Sequence, residues 1–189
     1  MRTILLARHG ETAWNRAGRL QGHTDIDLND AGRAQAHALA TALADAGVAT
    51  VRTSDLARAR QTGEIVASVL GLAAPGVDAD LRERRFGVFE GLTRDECASQ
   101  HPEAWQAWLA QMGTPPGAEP RELAVARMGS ALARIAAADG PPVVVVSHGG
   151  VMRLWLIHVL GTAVPLIGNG ATFVVEHHAT GVRARALAD

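Results

Sequence analysis

The sequence predicts an α/β fold, a three-layer sandwich in which helices cover both faces of a largely parallel sheet. Two observations carry this prediction. Short apolar runs that suit buried strands alternate along the chain with segments of helical periodicity. The clearest run, at residues 141–146, holds four consecutive valines and is stopped by Ser147, as expected of a strand that is buried on both faces.

The N-terminal half is predicted to hold two strands and two helices. Residues 3–7 form a short apolar run that ends at polar residues, which suits a buried strand, and a loop follows it. Asn29 can cap the first helix, whose leucines recur at helical spacing among alanines, and Gly47 can end it. A weaker strand is predicted at residues 48–52, and Ser54 can cap the second helix.

The C-terminal half is predicted to alternate in the same way. A loop with three prolines and two glycines at residues 113–120 separates two helices. The predicted helices are residues 102–112, 119–138 and 150–160, and the predicted strands are residues 77–81, 141–146 and 171–176. Because no internal repeat or linker divides the sequence, residues 1–189 are predicted to form a single domain.

The composition excludes several classes of function. With 48% hydrophobic and 20% charged residues, the chain can bury a substantial core. Its net charge of −1 gives no electrostatic footprint for nucleic acid or for an anionic membrane surface. The sequence contains no lysine and no tyrosine, which excludes a P-loop lysine, a Schiff base and a tyrosine nucleophile. Cys97 stands alone, so an internal disulfide and a cysteine-rich zinc site are excluded as well.

The apolar segments are too short to target a membrane. The stretch at residues 4–7 is shorter than the core of a signal peptide. The segment at residues 151–160 contains Arg153 and His158 and falls well short of the roughly 20 residues that a membrane helix needs. A cytoplasmic protein with no membrane partner and no nucleic-acid partner is therefore predicted.

Two histidines directly follow predicted strands. The motif RHGE begins at Arg8 after the first strand, and SHGG begins at Ser147 after the valine strand. Parallel sheets place ligands beyond the carboxyl ends of their strands, so His9 and His148 are expected to face one crevice. The neighbouring glycines permit close backbone approach, and the free N–H groups of the helix that starts at Gly149-Gly150 would attract an anion.

Histidines beside arginines suggest phosphate chemistry. A neutral imidazole can attack phosphorus and form a phospho-enzyme, which divides one displacement into two. Planar arginine forks can neutralise the phosphate oxygens, and Arg8 and Arg58 are the candidates. A carboxylic acid must protonate the leaving oxygen and later take a proton from water, and Glu83 is the candidate for this role.

Five blocks of the sequence, in order, resemble the histidine phosphatase superfamily, in the branch related to cofactor-dependent phosphoglycerate mutase. The blocks are LLARHGETAWN, GRLQGHTDIDLNDAGRAQA, SDLARARQT, LRERRFGVFEG and VVVVSHGG. The resemblance implies a phosphoglycerate mutase-like fold and no metal or other cofactor. It implies His9 as the phosphorylated nucleophile and Glu83 as the proton donor. It also implies a set of groups near the phosphoryl group or the substrate, namely Arg8, Asn15, Gln21, Gly22, Arg58, His148 and Gly149.

The resemblance favours hydrolysis over phosphoryl return. Family mutases typically carry a tyrosine shortly after the acidic residue and are longer, whereas Phe86 stands at that place in this shorter chain. The expected substrate is a small-molecule phosphate ester. Residues 81–108 look most like the alpha-ribazole phosphatases of cobalamin assembly and their broad-specificity relatives. One departure is that Ala118-Glu119-Pro120 replaces the usual Gly-Glu-Ser, so a role for Glu119 in substrate selection stays open.

Three other functions remain as alternatives. The first is a phosphoglycerate mutase with a bisphosphoglycerate activator, the second a phospho-ligand binding module without turnover, and the third a metal hydrolase with His9, His148 and Glu83 as ligands. Relatives are commonly homodimers, which makes a homodimer an open expectation. Trp14 either lines the substrate mouth or anchors its loop. Trp105 and Trp108 are expected to pack, with contact to substrate as a hypothesis. Packing or surface roles are predicted for His23, His37, His101, His158, His177 and His178.

Overall fold

The computed structural model describes residues 2–178 and 181–187. These residues form one sheet of six strands, flanked by helices. The strands are β1 (Ile4–Arg8), β2 (Thr50–Thr53), β3 (Gly76–Val77), β4 (Val143–Ser147), β5 (Thr172–His178) and β6 (Gly181–Ala186). Their spatial order is β3-β2-β4-β1-β5-β6. The first four strands of that order are parallel, and β5 and β6 are antiparallel additions. The predicted α/β class and largely parallel sheet are confirmed.

Seven helices are described. They are α1 (Ala13–Arg16), α2 (Asp30–Ala42), α3 (Ala57–Val69), α4 (Arg94–Gln100), α5 (Pro102–Leu109), α6 (Arg121–Ala137) and α7 (Gly149–Leu160). Two short 3₁₀ turns, Ala79–Leu81 and Gly87–Phe89, lie between β3 and α4. No helix within residues 2–178 or 181–187 has both the length and the apolar character to cross a membrane.

The central strands bury side chains on both faces, which explains their unbroken apolar sequences. Along β1, Ile4 and Leu6 pack in the core beneath α6 and α7, while Leu5 and Ala7 pack in the core beneath α2 and α3. The valines of β4 divide between the two cores in the same alternation. The sheet therefore separates two hydrophobic layers, as a three-layer sandwich requires.

A third and smaller apolar cluster lies between Phe89, Cys97 and Trp105. It joins the second 3₁₀ turn to α4 and α5. Phe89 meets the rings of Trp105 and Trp108 edge to face, with centroids 5.4 Å and 5.8 Å apart. This cluster supports one wall of the crevice described below.

Two glycines hold the loop after β1 against the start of α2. A Cβ atom on Gly10 would lie 2.3 Å from the carbonyl oxygen of Gly32, and a Cβ on Gly32 would lie 2.1 Å from that of Glu11. The Asn29 N–H donates to the same Glu11 carbonyl oxygen at 3.0 Å. Backbone meets backbone here, and only glycine leaves room for that approach.

The predictions of one helix cap and of one strand end were wrong. Ser54 does not cap α3, because the helix begins at Ala57, whose N–H donates to Asp25 Oδ1 at 2.7 Å. The strand predicted at residues 77–81 ends at Val77, because the Asp78 side chain accepts from the Asp80 N–H and starts a 3₁₀ turn.

Three elements were not predicted at all. The α1 helix has only four residues, and β6 is an exposed edge strand in which small residues alternate with arginine. The signal for α4 was present, since Thr93 and Glu96 form a capping box.

Candidate active site

A cleft of about 370 Å³ opens beyond the carboxyl ends of the parallel strands. The residues that line it include most of those predicted from the sequence, namely Arg8, His9, Asn15, Gln21, Gly22, Arg58, Glu83 and Gly149. His148 is fully buried directly behind them, with its ring centroid 5.1 Å from that of His9. This proximity follows from strand register, because Arg8 pairs with Ser147 and each histidine comes next in its chain.

His9 is a buried, neutral imidazole with a fixed tautomer. Its Nδ1 lies 2.7 Å from the Gly10 carbonyl oxygen, which can only accept, so the proton is on Nδ1. The Nε2 atom therefore carries the free lone pair. Burial above all, and then the charges of Arg58 and Arg8, hold the pKa of His9 well below its ordinary value. The lone pair is thus available throughout the neutral pH range.

Arg58 is fully buried and fixes the tautomer of His148. Its Nε–H donates to His148 Nδ1 at 3.2 Å, so the proton of His148 must be on Nε2. That Nε2–H has no hydrogen-bond partner among the described residues. Burial lowers the pKa of Arg58 to about 10, which still leaves it charged at neutral pH. The Arg58 guanidinium also donates to the carbonyl oxygens of Thr24 and Gly22, at 2.9 Å and 2.7 Å.

Arg8 and Asn15 each have donors left over on the cleft side. Arg8 Nη1 donates to the Ile167 carbonyl oxygen at 2.5 Å, while Arg8 Nε is buried with no partner in the part of the chain described. Asn15 Oδ1 accepts from the Thr12 N–H at 3.1 Å and from Asn169 Nδ2 at 3.2 Å, which orients the amide N–H groups away from those partners. Donors without partners at a cleft are suited to bind the oxygens of an anion.

Glu83 occupies the N-terminus of α7. Its Oε2 accepts from the Gly150 N–H at 2.8 Å, and its Oε1 accepts from the Val151 N–H at 2.7 Å and from the Arg84 N–H at 2.8 Å. The sequence led us to expect that the N–H groups at this helix N-terminus would attract an anion. The N–H groups of Gly150 and Val151 instead bind the chain's own Glu83 carboxyl group, so these two are not left free for a substrate, which corrects that part of the expectation.

The loop that carries Gln21 and Gly22 is held by Glu90, a residue to which the sequence analysis gave no role. Glu90 Oε1 accepts from the N–H groups of His23 and Phe86, at 3.2 Å and 3.0 Å. A Cβ atom on Gly22, which has φ +52°, would lie 2.1 Å from that same oxygen. Glu90 lies in the same sequence block as Glu83, LRERRFGVFEG, and its place in that block is the sequence feature that could have indicated its role.

Other residues of the site also escaped prediction. Asn169 Nδ2 donates to the carbonyl oxygen of His9 at 3.0 Å, besides its contact with Asn15. His23, predicted to have only a packing or surface role, lies with its Nε2 2.8 Å from the Glu83 carbonyl oxygen. Neither contact has a local sequence signal, because both partners are backbone oxygens that are distant in the chain.

The lining of the cleft is cationic and aromatic. Of the described residues, six arginines and one carboxylate line it; the arginines are Arg8, Arg19, Arg58, Arg84, Arg94 and Arg153. Arg84 stacks on Trp108, with its Cζ atom 4.3 Å from the ring centroid. Trp105 and Trp108 pack on Phe89, as expected, and also line the cleft; contact with substrate stays a hypothesis. Trp14 lies against Gly91 and is not part of the lining, so the structure favours its role as a loop anchor.

Glu119 points away from the cleft. Both of its carboxylate oxygens accept from Arg127, at 2.7 Å and 2.8 Å, and it is not among the residues that line the cleft. Direct contact between the Glu119 side chain and a bound ester is therefore disfavoured.

Comparison with known protein families gives one match over nearly the whole chain. A model described as the histidine phosphatase superfamily (branch 1) matches residues 4–189. Two curated proteins of Arabidopsis thaliana are similar in sequence. Phosphoglycerate mutase-like protein 4 is 41% identical over 79% of this chain and 67% of its own length. A metal-independent phosphoserine phosphatase is 39% identical over 79% of this chain and 65% of its own length. The chain thus spans about two thirds of the length of these plant proteins.

Solved structures share the complete fold. A mycobacterial glucosyl-3-phosphoglycerate phosphatase has a TM-score of 0.86 at 30% identity, with 100% of this chain and 99% of that chain covered. A candidate alpha-ribazole-5'-P phosphatase of Escherichia coli has a TM-score of 0.85 at 26% identity, with 100% and 96% covered. The sheet and its flanking helices therefore belong to an architecture that these two solved structures share.

Proposed function

This chain belongs to branch 1 of the histidine phosphatase superfamily, and from that membership we propose that it hydrolyses phosphate monoesters through a phosphohistidine at His9, without a metal ion. The chain 1–189 acts in this proposal as one domain. The observation that carries the proposal is the state of His9. It is a neutral imidazole with its Nδ1–H bound to the Gly10 carbonyl oxygen, its Nε2 lone pair free, and Arg8 and Arg58 beside it in the cleft.

The phosphate group is held by donors that lack a partner in the described structure. Arg8 Nε and His148 Nε2 are such donors, and the amide N–H groups of Asn15 are oriented away from their neighbours. Arg58 adds a buried charge next to both histidines. Together these groups neutralise the phosphate oxygens as charge redistributes during transfer. Gln21, Gly22 and Gly149 form the walls around the bound group.

The reaction proceeds in two displacements. The Nε2 lone pair of His9 attacks phosphorus, the bond between phosphorus and the ester oxygen breaks, and that oxygen leaves as an alcohol with the proton of Glu83. Water then attacks the phosphohistidine and gives one proton to Glu83. The bond between phosphorus and nitrogen breaks, which releases inorganic phosphate and restores both residues. Three N–H donors hold the Glu83 carboxyl group in place for both steps.

The substrate is a small-molecule ester in this proposal. Relatives named as a phosphoserine phosphatase and a glucosyl-3-phosphoglycerate phosphatase support this class. Alpha-ribazole 5'-phosphate is a specific candidate, supported by the Escherichia coli neighbour. A homodimer and a cytoplasmic location stay predictions.

The second candidate function is a phosphoglycerate mutase, which the name of the first plant relative favours. Phe86, at the place of the tyrosine usual in mutases, packs on Trp108 in the cleft wall and favours hydrolysis.

The test is turnover of para-nitrophenyl phosphate by the wild type and by His9→Ala, with a chelator present. We expect the wild type to turn over and His9→Ala to lose roughly 10³-fold or more, since it removes the nucleophile itself. Acid-labile phosphate should be trapped on the wild type and not on the variant. The chelator should change neither result.

Other outcomes would redirect the assignment. If the wild type forms no phospho-enzyme and shows no turnover, adding bisphosphoglycerate and phosphoglycerate distinguishes a mutase from a binding module. If the chelator abolishes turnover, the metal hydrolase is the better description.

A further inference from the structure

Arg127 uses all of its hydrogen-bond capacity to hold the segment that carries Glu83. A guanidinium has five N–H donors. Arg127 Nη1 donates to the carbonyl oxygens of Asp80 and Arg82, at 2.8 Å and 2.7 Å, and Nη2 donates to the carbonyl oxygen of Glu83 at 2.9 Å. The remaining two donors bind the carboxylate of Glu119 at 2.7 Å and 2.8 Å. One side chain of α6 thus binds three backbone carbonyl oxygens, those of Asp80, Arg82 and Glu83, before and at the acid.

Glu119 makes this arrangement rigid from the other side. The ion pair is largely shielded, with both side chains 18% exposed. Burial alone would raise the pKa of the Glu119 carboxyl, but the hydrogen bonds and charge of Arg127 outweigh it and hold that pKa below its ordinary value. The backbone of Glu119 is also hydrogen-bonded to the residues that follow Glu83. Its N–H donates to the Arg85 carbonyl oxygen at 3.0 Å, and its carbonyl oxygen accepts from Arg84 Nε at 2.7 Å.

The acid is therefore held at both ends. The N-terminus of α7 binds the carboxyl group of Glu83, whereas Arg127 and His23 bind its backbone carbonyl oxygen. Proton transfer to a leaving oxygen requires the acid within hydrogen-bond reach, and a displacement of about 1 Å can cost roughly 10²-fold in rate. The backbone attachment decides where the carboxyl group can reach.

We propose that Arg127 and Glu119 form a positioning pair that sets the Glu83 carboxyl group for proton donation to the leaving oxygen. This inference rests on the role of Glu83 in the proposed function. It also gives Glu119 a function despite its position away from the cleft. Glu119 acts by holding Arg127 against the segment that carries Glu83, and not by contact with substrate.

The choice of leaving group distinguishes a misplaced acid from a general loss of catalytic activity. A nitrophenolate leaves readily without a proton, whereas an alkoxide does not, so loss of acid placement should slow alkyl esters far more than aryl esters. The measurement is the single-turnover release of the leaving group from para-nitrophenyl phosphate and from glycerol phosphate. Single turnover isolates the first displacement from the later attack of water.

The variants are Arg127→Gln, Arg127→Lys and Glu119→Gln, with Glu83→Gln as the reference for a lost acid. For Arg127→Gln we expect a loss of roughly 10- to 100-fold on glycerol phosphate and less than about threefold on para-nitrophenyl phosphate. Arg127→Lys should resemble it, because one ammonium cannot reach all of these oxygens. Glu119→Gln, which keeps an acceptor but loses the charge, should show a smaller loss with the same substrate dependence.

Arg134→Gln is the matched control. Arg134 lies on the same helix and pairs with Asp78 and Asp80, in the same segment, but it is 55% exposed and makes no hydrogen bond to Glu83. It should leave both rates within about twofold of the wild type.

Equal loss on both esters, or no loss on either, for folded Arg127→Lys and Glu119→Gln would overturn the positioning role. Thermal unfolding identifies any variant that does not fold. If Glu83→Gln itself shows no dependence on the leaving group, the acid assignment in the proposed function fails, and the positioning inference fails with it. That outcome is distinct from a failure confined to the Arg127 and Glu119 variants.

Discussion

Glu83 illustrates how a single residue serves both the fold and the proposed chemistry. Its carboxylate caps α7 by accepting from the N–H groups of Gly150 and Val151. The side chain therefore lies where a helix N-terminus stabilises negative charge and where the cleft exposes it to a ligand. The cap depends on close approach, because a Cβ atom on Gly150 would lie 2.7 Å and 2.8 Å from the two carboxylate oxygens.

Gly150→Ala should therefore displace the acid without disturbing the core. The new methyl group meets the end of a flexible side chain, so Glu83 moves and the helix does not. We expect single-turnover release from glycerol phosphate to fall roughly 10²-fold or more, the scale of a lost general acid. Gly168→Ala is the control, since a Cβ there meets nothing within 4 Å, and it should retain the wild-type rate. A Gly150→Ala enzyme as fast as the wild type would contradict the placement of the acid.

Motifs predicted the side chains that gather around the cleft. Arg8, His9, Arg58, Glu83 and His148 were all singled out from the sequence, and the structure brings them together around one cleft, while their catalytic roles stay predictions. The supporting residues could not be found in this way. Asn169 acts on the backbone of His9, and Arg127 acts on the backbone of Glu83, each across a long stretch of chain that no local pattern spans.

At the scale of elements, the predictions were correct for helices and strands that combine a strong local sequence signal with buried side chains. Asn29 was predicted to cap α2, and its Oδ1 accepts from the Gly32 N–H at 2.8 Å. The apolar strands β1 and β4 were predicted for the same reason, since both faces are buried. Two of the elements that were missed, α1 and β6, are short or exposed, so tertiary pairing rather than propensity decides them; β6 exists because β5 supplies its partner.

The cap of α2 gives a prediction for that element. Asn29→Ala removes the acceptor for the Gly32 N–H and should lower the free energy of unfolding by about 1 kcal/mol. Asn29→Ser keeps an acceptor at this position and should recover most of that loss. Urea denaturation of the three proteins measures both values. An unchanged midpoint for Asn29→Ala would show that the cap does not contribute to the stability of the fold.

At the scale of the whole molecule, the two buried histidines link folding to pH. Burial above all, with the charge of Arg58 next, holds the pKa values of His9 and His148 well below the ordinary value of 6.5. The unfolded chain therefore binds protons that the folded chain does not once the pH falls below about 6.5. Stability must then decrease as the pH falls, until the folded pKa values are reached.

The expected slope is about 1.4 kcal/mol per pH unit for each such histidine in that range. Urea denaturation between pH 7.5 and 5.5, in buffers without phosphate, measures it. His9→Gln should reduce the slope of unfolding free energy against pH by the contribution of one histidine. His37→Gln, on the exposed side of α2, should leave that slope unchanged. A wild-type stability that does not change over this range would contradict the neutral, buried state of both rings.

The position of β1 within the sheet also bears on how the protein is made. In the described sheet β1 lies between β4 and β5, and β4 begins at Val143, about 135 positions after β1 ends at Arg8. On a ribosome this interval takes roughly 7 to 27 seconds. Throughout that time the segment Ile4–Arg8 has neither neighbouring strand to pair with. An unpaired apolar strand invites association with other chains, so the yield of native enzyme should depend on the rate of translation and on the chaperones that cover nascent strands.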